Sequence, residues 1–174
     1  IKVYENAMGW ANDTDGYNLK NKLVNLLINE SLFNDALRWI DIIQAEALSK
    51  EEAIDLQFKK AEIFLFLERS YDAEFAYQVI LDAAENNLSI AKAYYGRGIS
   101  LWNLGRSEEA AYMFNNAYKI KVNDIINIQS ILKAGDAYYK SSMYDEAELC
   151  YLKFIDEYPN DLNYPQVLYQ LGLS

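Results

Sequence analysis

Residues 91–117 read AKAYYGRGISLWNLGRSEEAAYMFNNA, and this stretch decides the fold. Ala91, Tyr94, Gly98 and Leu101 recur at helical spacing, the polar break Asn103-Leu104-Gly105-Arg106-Ser107 interrupts them, and a second apolar stripe of Ala110, Phe114 and Ala117 follows. The segment is predicted to be helix, turn, helix. Working outward, the pattern returns every 37 residues: Ala36, Ala73, Ala110 and Ala147 form one series, and Val24, Ala61, Gly98, Gly135 and Gly172 form another. A bulky residue stands four positions after each alanine (Ile40, Tyr77, Phe114, Tyr151), with a further apolar one three later (Ile43, Ile80, Ala117, Phe154). Small residues belong where two helices cross, because only they let backbones approach closely, and the bulky ones fill the space beside them. One such pair cannot bury its apolar face alone. Stacked pairs share a continuous core, which predicts an all-α solenoid with first helices on a concave wall and second helices on a convex one.

Composition supports this reading and removes much else. The chain has 174 residues, 52% hydrophobic and 24% charged, enough to bury roughly 70% of its unfolded surface without cross-links. Two prolines and seven glycines are too few for a protein of many short strands. Histidine is absent, which removes the Ser/His, Cys/His and histidine-metal arrangements of most hydrolases and metalloenzymes. Cys150 is the lone cysteine and cannot close an intrachain disulfide. The longest apolar run, Ile63 to Leu67, falls far short of the roughly 20 residues of a membrane span, and mean hydropathy is -0.20. The net charge of -10 opposes general nucleic-acid binding.

These residues resemble the tetratricopeptide repeat family. Gly98, Leu101, Gly105, Ala110, Phe114 and Ala117 match its pattern in one unit, and Gly135, Tyr138, Tyr144, Ala147, Tyr151 and Pro159 match it in the next. The earlier units carry Val24 and Ala61 in place of Gly and lack a turn glycine. The resemblance covers essentially the whole chain and implies a right-handed α-solenoid of antiparallel helix pairs. Residues 1–13 would be the second helix of a preceding repeat, with repeats at 17–53, 54–90, 91–127 and 128–164 and the start of a fifth at 165–174. The family period is about 34 residues, so pitch and groove width do not carry over to a period of 37. Ala147, Tyr151, Phe154, Tyr158-Pro159-Asn160, Tyr169 and Leu171-Gly172 also resemble the repeats of bacterial envelope-assembly lipoproteins.

Little in the chain suggests chemistry. Glu51-Glu52, Glu108-Glu109, Asp145-Glu146 and Asp156-Glu157 are adjacent acids, but neighbours on a helix diverge by about 100° and acids in a first turn favour the helix dipole. Cys150 has no histidine or basic cluster to lower its pKa and reads as a packing residue. Gly96, Gly98 and Gly105 follow no strand and precede no Lys-Ser pair, so they form no phosphate loop. The chain is read as non-enzymatic, with no catalytic residue, cofactor or metal.

Charge and aromatics suggest binding instead. Windows 17–29, 54–66, 91–103, 128–140 and 165–174, taken as first helices, hold eight basic and three acidic residues, whereas the remainder carries -15. Lys22, Lys59 and Lys133 share one repeat position, interrupted by Gly96 and ending at Gln170; an ordinary solvated helix face is the alternative. By family resemblance, the groove rows include Asn21, Phe58, Tyr95, Leu132 and Tyr169, and also Ile28, Leu65, Trp102 and Tyr139, the latter row favoured for packing between helices. Asn25 and Asn103 are candidate hydrogen-bonders to a ligand backbone, while Asn21 stands where a chaperone-type carboxylate clamp needs Lys. The expected function is a protein–protein interaction scaffold that holds an extended or helical, acidic partner segment in its groove. A self-association or architectural module is the rival, and the sensor array of a larger enzyme or regulator is a third reading. The compartment, cytoplasmic or bacterial periplasmic, stays open. Val3-Tyr4-Glu5-Asn6-Ala7 parallels second-helix sequence, and 165–174 reproduces only part of a first helix, so the array is expected to continue on both sides, with apolar ends open to self-association.

Overall fold

The computed structural model describes residues 13–46 and 48–172. Among them are nine helices and no strand, as the patterning requires: α1 (Asp13–Asn29), α2 (Phe33–Gln44), α3 (Lys50–Phe66), α4 (Ser70–Ala83), α5 (Asn87–Asn103), α6 (Ser107–Ile120), α7 (Asp124–Lys140), α8 (Tyr144–Glu157) and α9 (Tyr164–Leu171). The first helices α1, α3, α5 and α7 open 37 residues apart and are each 17 residues long. Unit boundaries drawn at 17, 54, 91 and 128 therefore lie four residues inside these helices. The expectation for residues 1–13 falls outside the described residues except at Asp13, which opens α1.

The helix starts have a local cause. Ser49 accepts from the Glu52 amide at 3.2 Å while the Glu52 carboxylate accepts from the Ser49 amide at 2.8 Å, a reciprocal cap on α3. Asn86 and Asn123 cap α5 and α7 by accepting from Ser89 N at 2.8 Å and Ile126 N at 3.0 Å. Three-residue turns then reverse the chain within each pair. In each turn the middle residue adopts positive φ: Ser31 (59°), Glu68 (58°), Gly105 (76°) and Ser142 (59°). The next amide bonds back to the helix, as Leu32 N to Leu27 O (2.8 Å), Arg69 N to Phe64 O (2.8 Å), Arg106 N to Leu101 O (2.9 Å) and Met143 N to Tyr138 O (2.9 Å). This is the Schellman stop, which satisfies the last carbonyls and turns the chain in the fewest residues.

Each helix packs on its neighbours in chain order, and α3 with α5 and α5 with α7 also touch directly. Ala36, Ala73, Ala110 and Ala147 are fully buried at the pair crossings, beside the buried Ile40, Tyr77, Phe114 and Tyr151. The core divides into two clusters, one from Leu23 to Ala93 and the other from Leu101 to Val167. Pro165 in the first turn of α9 suits a helix start, and Val167 buries that helix against the second cluster. Among the described residues no helix is long and apolar enough to cross a membrane.

Candidate functional site

The first-helix face is shaped by three glycines and three rings. A Cβ on Gly98 would lie 2.6 Å from the Phe114 ring, one on Gly96 2.3 Å from Tyr77, and one on Gly135 2.5 Å from Tyr151. A side chain at any of these positions would have to displace the ring beside it. The absence of a Cβ makes room for the Tyr77 ring of α4 against Gly96 and the Tyr151 ring of α8 against Gly135, and each tyrosine lines a cavity together with first-helix residues.

Two cavities adjoin there. One, of about 340 Å³, lies between α5, α7 and α9 and is lined by Tyr95, Gln129, Leu132, Lys133, Asp136, Tyr151, Asn163, Gln166, Val167 and Gln170. The other, of about 330 Å³, is lined by Phe58, Glu62, Leu65 and Tyr77, by Lys92, Tyr95, Gly96 and Ile99, and by Ile126 and Gln129. Tyr95 and Gln129 belong to both, so the cavities form one strip running from α3 to α9.

Of the residues singled out by sequence, Phe58, Leu65, Tyr95, Leu132 and Lys133 come together on this strip. Phe58 and Tyr95 also serve the core: Phe58 meets Tyr77 edge-on at 6.3 Å, and Tyr95 lies 5.5 Å from the Phe114 ring. Tyr169 is 66% exposed on α9, outside both cavities, although its neighbours Gln166 and Gln170 line one. Asn25 is exposed on α1, and Asn21 is engaged, accepting from Lys59 Nζ at 2.6 Å. Trp102 is half-buried beneath Lys140, whose Nζ is 4.3 Å from the ring centroid, with Lys133 at 5.9 Å. Tyr139 packs edge-on against Tyr144 at 5.4 Å.

Electrostatics on the strip are divided. Lys59 is paired with Asp55 at 2.7 Å, whereas Lys133 and Lys140 make no salt bridge among the described residues, Lys133 lining the same cavity as Asp136. The Tyr151 hydroxyl donates to Asp136 Oδ1 at 3.1 Å. Burial holds the Asp136 carboxyl above the usual carboxylate range, with the Tyr151 hydrogen bond and the Lys133 charge pulling it back. Burial likewise raises the Tyr95 phenol, and burial together with Asp136 raises that of Tyr151. Away from the strip, burial pushes the Cys150 thiol up to about 11, which keeps it protonated at neutral pH.

The expected excess of positive charge on the first helices is reduced by the helix bounds. The extra first turns contain Asp13, Asp15, Glu51, Glu52 and Asp124 against one added cation, Lys50, leaving nine basic and eight acidic residues on these helices. The contrast between faces persists, because α2, α4, α6 and α8 carry three basic and twelve acidic residues.

Sequence reading missed Gln129 and Gln166, which line the strip one repeat apart and were available as a periodic polar pair. It also assigned Tyr77 and Tyr151 to the core alone; nothing in the sequence says that they line the cavities as well. No family model matches this sequence, and no curated protein matches it as a relative.

Proposed function

We propose that the chain is a right-handed solenoid of the tetratricopeptide type that acts as a non-enzymatic scaffold, holding a segment of a partner protein along the concave face made by its first helices. The observation that carries this reading is the double cavity, where half-buried aromatics alternate with amides free to hydrogen-bond: Phe58, Tyr95 and Leu132 offer apolar seats, and Gln129 and Gln166 offer donors and acceptors at repeat spacing. Two adjoining seats sharing one wall suit an extended chain that places successive side chains in them. The even repetition of helix starts and turns supports the solenoid assignment. Lys140, with no salt bridge among the described residues, would steer acidic groups of the partner toward α7, whereas Lys133 is partly offset by Asp136 and Lys59 is bonded to Asp55.

The test uses Gln129→Arg with Gln166→Arg, which fill the strip from exposed positions. Affinity capture from source cells should recover a partner with the unaltered protein and lose it with this variant, at equal melting temperature. Recovery of the same proteins by both would overturn the reading. Concentration-dependent self-association abolished by the variant would favour the architectural role instead.

A further inference from the structure

The second-helix face carries a feature that the groove does not use. Phe75 on α4, Tyr112 on α6 and Leu149 on α8 occupy the same repeat position, 37 residues apart, and are 70%, 44% and 56% exposed. Single exposed apolar residues are ordinary. Three in register on successive helices make a row. Three residues earlier, one helical turn away on the same face, stand Asp72, Glu109 and Glu146. In α2 the apolar position is Arg38, so the row begins at α4.

We propose that this row is a docking surface for a basic amphipathic helix of a partner protein, lying across α4, α6 and α8 and burying Phe75, Tyr112 and Leu149. Charge selects the occupant. The four second helices hold twelve acidic residues against three basic ones. Asp72 and Glu109 are already bonded to Arg69 and Arg106, but Asp145, Glu146 and Glu148 on α8 have no cation partner among the described residues. The partner's lysines and arginines would therefore cluster over α8. The same carboxylates repel an anionic lipid surface and a second copy of this equally acidic face. Repetition favours a helical segment: one apolar anchor on each of three second helices suits an occupant with a continuous apolar stripe along one face, as an amphipathic helix has.

The probe is a fluorescent 18-residue helical peptide with Leu at positions 3, 7, 10, 14 and 17 and Lys and Ala elsewhere, an apolar stripe along one face, compared with its Glu-for-Lys counterpart. The lysine peptide should bind and the glutamate peptide should not. Phe75→Ser, Tyr112→Ser and Leu149→Ser together should weaken binding at least about tenfold with unchanged circular dichroism, and Leu149→Ser alone should weaken it measurably if the triple variant is unstable. Gln129→Arg on the opposite face should leave it unchanged, which separates this proposal from the groove reading. Equal binding by the serine variants, equal binding of both peptides, or no binding up to about 1 mM would overturn it. So would self-association, or adhesion to phosphatidylserine vesicles, that disappears with the row.

Discussion

Gly135 and Tyr151 show how much a single missing carbon decides. The Tyr151 ring occupies the place where a Cβ at position 135 would stand, 2.5 Å away, and it is tethered there by its bond to Asp136. Gly135→Ala should therefore destabilise the protein by about 1–3 kcal/mol, read by urea unfolding; a neutral result would mean that the ring can retreat. Asp136 makes a second prediction. Burial raises its folded-state pKa, so the stability linked to its protonation is fully present below the unfolded value, about 3.9, and is lost as pH rises through the folded value. Relative to the parent, Asp136→Asn should gain stability between pH 4 and 7, and denaturation curves across that range would check the sign.

At the scale of elements, every helix pair uses the same stop, yet only one of the four turns has glycine at the left-handed position. Ser31, Glu68 and Ser142 hold that conformation at a steric cost that glycine lacks, and the surrounding hydrogen bonds hold them there. Glu68→Gly should raise stability by up to about 1 kcal/mol, visible as a higher melting temperature. Ser49→Ala should do the reverse by removing the acceptor from the reciprocal cap, at a cost of about 1 kcal/mol. The caps explain why pattern reading placed the units one turn late: it followed apolar stripes, whereas Ser49, Asn86 and Asn123 mark the starts at repeat spacing and were legible in the sequence.

Across the whole molecule, cohesion is uneven. The contact of α2 with α3 is the sparsest between consecutive helices, while α5 to α8 pack most closely. In an array held by neighbour contacts, the weak junction opens first. Amides of α1 and α2 should exchange with solvent faster than those of α6 and α7 in hydrogen-exchange mass spectrometry; uniform protection would contradict this.

The all-α class, the helix pairs and the identity of the crossing residues were readable from the chain, because helical spacing and small-residue periodicity are local properties that any stacking must respect. Which side chains meet across repeats was not. Phe58 and Tyr95, expected as exposed anchors, are half-buried against Tyr77 and Phe114, and Lys59 is drawn to Asn21 and Asp55. Those outcomes depend on the angle and separation at which successive pairs stack, which no single repeat encodes. The same stacking set Tyr151 against Gly135 and within reach of Asp136, and left Phe75, Tyr112 and Leu149 exposed at one repeat position.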